Sequence, residues 1–238
     1  ADVYARKAHL RNRGLSERDS LMIAADSAYF NGDFARPDLL QLAAARLGQL
    51  VRTFPGDPEA WYVLGEVLEH APPGLGQDKP EALSAFDRAV ALDSGFAPPW
   101  EHLLELALRY REPDQARRYA VAASAIPGTT DATMSAKLAG RLLLDNTGLR
   151  DEDLRSAINA AAPVTLFRMG LEFFFDLADS AETSVAVLRA LAVRSIQAGE
   201  SQPWIVDSLM RNQYLAFALA TRGHLREAVE ANGGLMAE

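Results

Sequence analysis

The chain has 238 residues, a formal net charge of −8 and no cysteine. The lack of cysteine excludes disulfides, thiolate metal sites and a cysteine nucleophile, and the acidic balance argues against nucleic acid as the main partner. Hydrophobic residues make up 49% of the chain, enough for a continuous core. No uncharged apolar run reaches the roughly 18 residues that a membrane-spanning helix requires, so no membrane span is predicted.

Start and stop signals of helices recur along the chain, and no segment alternates with the period of a strand. Ser16 offers an N-cap with Asp19 three residues later, and Asp57 offers another N-cap before a proline. Residues 33–38, which include Pro37, are predicted to interrupt the pattern. The predicted helices cover, in chain order, 2–12, 16–32, 39–54, 58–70, 79–92, 98–110, 115–125, 131–146, 152–161, 163–178, 181–198 and 203–222, and a last one begins near Leu225.

The same side chains recur in successive helix pairs. The first helices of two pairs open alike, with Trp61, Leu64 and Gly65 in one and Trp100, Leu103 and Leu104 in the other. The second helices of three pairs share small and apolar positions, at Ala43, Leu47 and Leu50, at Ala82, Phe86 and Ala89, and at Ala116, Ala120 and Ala123. The step from Ala82 to Ala116 is 34 residues. Small side chains let helices approach closely and large ones fill the space between them, so each pair is predicted to stack on its neighbours.

Residues 55–66 resemble the start of a tetratricopeptide repeat and residues 81–93 resemble its second helix; the period of that family is 34 residues. The arrangement is similar to repeat regions attached to bacterial serine/threonine kinases, cyclases and transcriptional regulators, although Ser94 stands where the family usually has proline. The resemblance implies an all-α, right-handed α–α superhelix, a tetratricopeptide-like solenoid with a degenerate C-terminal helical half. We therefore expect a capping helix and three hairpins in 1–128, and a degenerate helical continuation in 129–238 that packs as one unit.

In this architecture the first helix of each pair lines a concave groove, and its groove positions follow by offset from the aligned tryptophans. The predicted partner-binding residues are Met22, Asp26, Tyr29, Tyr62, Glu66, Glu69, His70, Glu101, His102 and Glu105. Carboxylates interleaved with tyrosine and methionine would attract a basic or neutral protein or peptide and repel an acidic one. The alternative interpretation is an acidic helix face that merely keeps the protein in solution.

The predicted function is non-catalytic recognition of another polypeptide, with no catalytic residue, no metal and no cofactor. An alternative is a structural subunit of a larger assembly, membrane-associated or not, that docks through its apolar C-terminal helices. The helix predicted over 163–178 is apolar on nearly all sides, which favours a buried central helix over a docking face. A metal-dependent enzyme is a third hypothesis, because His102 with neighbouring glutamates could hold a divalent ion, but the chain contains no H-E-x-x-H pattern.

Overall fold

The computed structural model describes residues 7–8, 10–11, 14–31, 36–70, 79–110, 112–145, 149–176, 181–194 and 208–233. This part of the chain contains no strand, and consecutive helices pack against each other, so the predicted all-α fold of packed helix pairs is confirmed. None of its helices combines the length and the apolarity that crossing a bilayer requires. The helices are α1 (Glu17–Asn31), α2 (Pro37–Thr53), α3 (Pro58–His70), α4 (Lys79–Leu92), α5 (Pro98–Arg109), α6 (Pro113–Ser124), α7 (Asp131–Leu144), α8 (Glu152–Ala160), α9 (Pro163–Asp176), α10 (Ala181–Ala192), α11 (Ser208–Thr221) and α12 (Leu225–Gly233).

The chain divides into two compact units, and the division falls within α5. Unit 1 is Ala1–Leu103, in which α1 packs on α2, α2 on α3 and α3 on α4. Unit 2 is Leu104–Glu238, in which α6 packs on α7, α9 on α10, α10 on α11 and α11 on α12. The domain boundary predicted after Gly128 therefore lies inside unit 2.

The second helices of the three predicted hairpins bury the same positions. Each of the nine side chains that recur in α2, α4 and α6 is at most 1% exposed, namely Ala43, Leu47, Leu50, Ala82, Phe86, Ala89, Ala116, Ala120 and Ala123. Their spacing places each set of three on one side of its helix. In α3, a Cβ at Gly65 would lie 2.5 Å from a ring carbon of Phe86, so only glycine permits this approach of α3 to α4. The repeat in the sequence is thus a repeat in the packing.

Trp61 and Trp100 occupy equivalent places at the starts of α3 and α5. Each indole Nε1 donates a hydrogen bond to the carbonyl oxygen six residues earlier, that of Pro55 for Trp61 (3.1 Å) and that of Ser94 for Trp100 (3.2 Å). The acceptor is a backbone carbonyl, which serine and proline both have. Ser94 can therefore accept this bond although tetratricopeptide repeats usually have proline at its position. Each indole fastens the turn before its helix to the first turn of that helix.

Two helices begin earlier than predicted, α2 at Pro37 and α6 at Pro113. Proline is favoured in the first turn of a helix, where its missing N–H would have had no partner, so the predicted interruption at 33–38 is too long. The helix predicted over 2–12 lies mostly outside the described residues. In α9, Leu166 and Met169 are buried, whereas Val164 is 39% exposed, so the described part of this helix is not buried on all sides.

In unit 2, two arginines bond the carboxyl ends of helices. The guanidinium of Arg194 donates to the carbonyl oxygens of Ile158 (2.8 Å), Asn159 and Ala161 at the end of α8. Arg211 of α11 donates to the carbonyl oxygens of Leu191 (3.1 Å) and Arg194 (2.6 Å) at the end of α10. The last carbonyls of a helix have no partner within it, so these arginines satisfy groups that burial would otherwise leave unbonded.

Candidate functional site

Most of the residues predicted to contact a partner lie in unit 1, on the first helices of its pairs. The surface that α1 and α3 form on this side of unit 1 is called the α1–α3 face below. Its residues outside the core are Arg18, Asp26, Tyr29, Glu59, Tyr62 and Glu66. Glu105, on the second half of α5, belongs to unit 2, where it pairs with Arg109.

Arg18 ties the start of α1 to the start of α3. Its Nε donates to Oδ2 of Asp57 at 2.7 Å, its Nη2 donates to Glu59, and its Nη1 lies 3.2 Å from Oδ1 of Asp19. The hydrogen bonds to Asp57 and Glu59 raise the pKa of Arg18 above its ordinary value. Three carboxylates therefore already engage the positive charge of this arginine.

Asp57 also caps α3, as predicted. Its Oδ1 accepts hydrogen bonds from the backbone nitrogens of Glu59 (3.0 Å) and Ala60 (3.1 Å). We expect Asp57→Ala to lower the free energy of unfolding by about 1–2 kcal/mol, because the cap and the bond to Arg18 are both lost. Urea unfolding at pH 7 measures this loss. Asp114→Ala, which removes an exposed carboxylate from the first turn of α6, is the control and is expected to change less than about 0.5 kcal/mol.

The pH dependence of the Asp57 contribution follows from its pKa. Burial alone would raise the pKa of Asp57, but the bond to Arg18 and the backbone N–H groups outweigh it and hold the pKa below the ordinary value of 3.8. A lowered carboxyl pKa stabilises the fold above the unfolded pKa, and this contribution is lost as the pH falls below it. The difference in stability between the parent and Asp57→Ala should thus begin to shrink once the pH falls below 3.8; a difference that stays constant well below that pH would contradict the assignment.

His102 of α5 lies between two carboxylates of α3. Its Nδ1 is 2.7 Å from Oε2 of Glu69 and its Nε2 is 2.5 Å from Oε1 of Glu66. The ring stacks on Phe86 of α4, with centroids 4.7 Å apart and planes inclined by 14°. Burial alone would lower the pKa of His102, but the hydrogen bonds and charges of both glutamates outweigh it and raise the pKa to about 9. At neutral pH His102 is therefore a cation that holds the first half of α5 to α3 and α4 within unit 1.

Three of the predicted partner-binding residues lie in the interior. Met22 and His102 are each 7% exposed, and the side chain of Glu69 is 5% exposed. Met22 belongs to the hydrophobic core that includes Leu47 and Leu50 of α2. Both ring nitrogens of His102 face carboxylate oxygens, those of Glu66 and Glu69. We therefore leave these three residues out of any contact surface.

Asp26 and Tyr29 are half-buried on α1, one turn apart. Burial raises the pKa of Asp26, and the charge of Glu59 raises it further. Burial also raises the pKa of Tyr29, together with the charges of Glu66 and Glu69. The described carboxylates at this place outnumber the cations Arg18 and His102, so the α1–α3 face carries an excess of negative charge.

The other predicted residues are partly accessible. Tyr62 is half-buried, and its ring meets that of Phe96 edge-on with centroids 5.6 Å apart. His70 is exposed, with Nδ1 2.9 Å from the carbonyl oxygen of Glu66. Glu101 is half-buried on the first half of α5. Of the predicted partner-binding side chains in unit 1, those that are accessible are therefore tyrosines, carboxylates and one histidine.

Unit 2 contains a small cavity of about 130 Å³ between α7, α8 and α9. Alanines from the end of α8 make up much of its wall, with the hydroxyls of Ser135 and Thr165 and the carboxylate of Asp131 beside them. Its wall is therefore mainly apolar, with three polar side chains.

Neither the models of protein families nor the curated proteins compared with this chain give a match. The resemblance to tetratricopeptide repeats therefore depends on the residues themselves. Two observations bear on it: the recurring buried positions of α2, α4 and α6, and the equivalent hydrogen bonds of Trp61 and Trp100.

Proposed function

We propose that unit 1 is a non-catalytic, tetratricopeptide-like module that recognises a basic or neutral polypeptide on the α1–α3 face. The observation that carries this proposal is the excess of carboxylates on a face where Asp26, Tyr29 and Tyr62 are only half-buried. A negative face attracts basic segments and repels acidic ones. Tyrosines supply rigid contact area at a low entropic cost.

Recognition on this face would need little rearrangement. Arg18 fixes α1 against α3, and His102 fixes the first half of α5 against α3 and α4. A surface that is already ordered loses less conformational entropy when a partner binds, so more of the interaction free energy appears as affinity. Because the attraction is between charges near the surface, binding should weaken as the salt concentration rises.

The test is selection from a random dodecapeptide library against the whole chain, followed by calorimetry of the selected peptides. We expect basic and neutral sequences to be enriched and acidic sequences to be depleted. Tyr29→Ala should weaken binding about 5- to 30-fold, the effect of removing an aromatic anchor, whereas Tyr110→Ala in unit 2 should leave it unchanged. Equal enrichment of acidic sequences, or equal weakening by both variants, would contradict the proposal.

A second candidate function is that of a subunit in a larger assembly, and the last helix pair favours it. Phe217 of α11 and Leu225 and Val229 of α12 are 49%, 63% and 70% exposed. Apolar side chains that lie together on the surface of neighbouring helices are typical of a site that another protein covers. Sedimentation velocity distinguishes the candidates, since an isolated binding module should stay monomeric with rising concentration and an orphaned subunit should self-associate.

A further inference from the structure

Asp26 is a half-buried charge on the α1–α3 face that lacks a counter-charge in the described part of the chain. We infer that Asp26 is the point at which a lysine or arginine side chain of the bound polypeptide docks. This inference rests on the proposed function, because it names the partner group that the same face selects.

The first argument is that the other charges near Asp26 are already engaged. Arg18 is bonded to Asp57, Glu59 and Asp19. The carboxylates of Glu66 and Glu69 are paired with His102. A carboxylate that is partly withdrawn from water is unfavourable until a cation or a donor reaches it. Among the described residues no cation is paired with Asp26, which leaves its carboxylate open to a cation from a bound partner.

The second argument is the neighbour of Asp26 on α1. Tyr29 lies three residues further on, so its ring is on the same side of the helix as the carboxylate. The apolar stem of a lysine or arginine can lie along a tyrosine ring while its charged end reaches a carboxylate. Glu59, which acts on Asp26 from α3, adds a second negative charge to the same place. The pair of side chains thus fits a long cationic side chain better than a small cation.

The raised pKa of Asp26 agrees with this arrangement and provides an independent readout. Burial and Glu59 disfavour the charged carboxylate, and a docked cation would favour it. Binding of a basic peptide should consequently lower the pKa of Asp26, which NMR titration of its carboxyl carbon measures. Asp26→Asn removes a charge that the fold disfavours, so its melting temperature at pH 7 should equal or exceed that of the parent.

The experiment uses the dodecapeptides selected on the whole chain, each prepared with free lysines and with acetylated lysines. Asp26→Asn should weaken binding of the free peptide about 10- to 100-fold, as expected for the loss of a charge-assisted hydrogen bond. Asp114→Asn, the matched charge change in unit 2, should alter it less than about 2-fold. Acetylation of the peptide's lysines should weaken binding to the parent by a similar factor. It should hardly change binding to Asp26→Asn, because the acetylation and the substitution remove the same bond.

Each remaining outcome is decisive. Basic peptides that bind Asp26→Asn as tightly as the parent would overturn the inference and leave the proposed function standing. Selected peptides without enriched lysine or arginine would also overturn it. A clear fall in the melting temperature of Asp26→Asn would show that Asp26 has a partner within the fold. A library from which nothing is enriched would contradict the proposed function itself.

Discussion

Gly140→Ala is expected to lower the free energy of unfolding by about 2–3 kcal/mol. A Cβ at this position of α7 would lie 2.5 Å from the backbone oxygen of Ala120 and 2.9 Å from the backbone nitrogen of Ser124 in α6. Backbone atoms of a helix cannot swing aside as a side chain can, so α6 and α7 would have to separate. Their separation would expose Ala123, which the parent buries completely.

Urea unfolding at pH 7 measures the effect of Gly140→Ala, and Gly48→Ala in α2 is the matched control. The atom nearest to a Cβ at Gly48 is Nη1 of Arg52 at 3.3 Å, the movable end of a flexible side chain. Alanine has a higher helix propensity than glycine, so this control should be neutral or gain up to about 1 kcal/mol. Similar stability changes in the two variants would show that Gly140 does not set the approach of α6 to α7.

His102→Leu is expected to have the largest effect, a loss of about 3–5 kcal/mol of unfolding free energy. Leucine keeps much of the packing on Phe86 but leaves two carboxylates without their cation, that of Glu69 in the interior and that of the half-buried Glu66. Adding Glu66→Gln and Glu69→Gln to His102→Leu should recover part of the loss, because it removes the uncompensated charges. A triple variant less stable than His102→Leu would show that the glutamates act through other bonds.

The cluster of His102, Glu66 and Glu69 should also make the free energy of unfolding fall as the pH rises above neutral. The pKa of His102 rises from 6.5 to about 9 on folding, so its contribution is complete below pH 6.5 and is lost as the pH rises through 9. At 1.36 kcal/mol for each pKa unit, this window corresponds to roughly 3 kcal/mol. Urea unfolding of the parent should show the decline and His102→Leu should not. His224, whose pKa Glu182 and Glu227 also raise, is present in both proteins and cancels in the comparison.

The fold could be predicted from the sequence where local signals and periodicity agree. The bounds of α3 and α4 match the prediction, because Asp57 and Pro58 mark a helix start and the apolar spacing continues without a break. The starts at Pro37 and Pro113 were missed because proline also ends helices. The division within α5 carries no local signal at all, since the helical pattern runs through it unchanged.

The site was harder to predict because an offset along a helix gives the direction of a side chain but not its depth. Met22, Glu69 and His102 were placed on the correct helices, yet they are buried. What the offsets did not reveal were the ion pairs that join residues about one repeat apart in the sequence. His102 follows Glu69 by 33 residues, and Arg18 precedes Asp57 by 39. A search for opposite charges at that separation would have found both.

The indole bonds of Trp61 and Trp100 also bear on how such a chain tolerates changes in length. Each bond fastens the junction between one helix pair and the next, so a residue inserted there would break it. The two helix pairs differ in length between their first and second helices. Trp61 and Ala82 are 21 residues apart, whereas Trp100 and Ala116 are 16 apart, so the extra residues lie within a pair and not at a junction. A change in loop length within a helix pair therefore leaves both indole bonds in place.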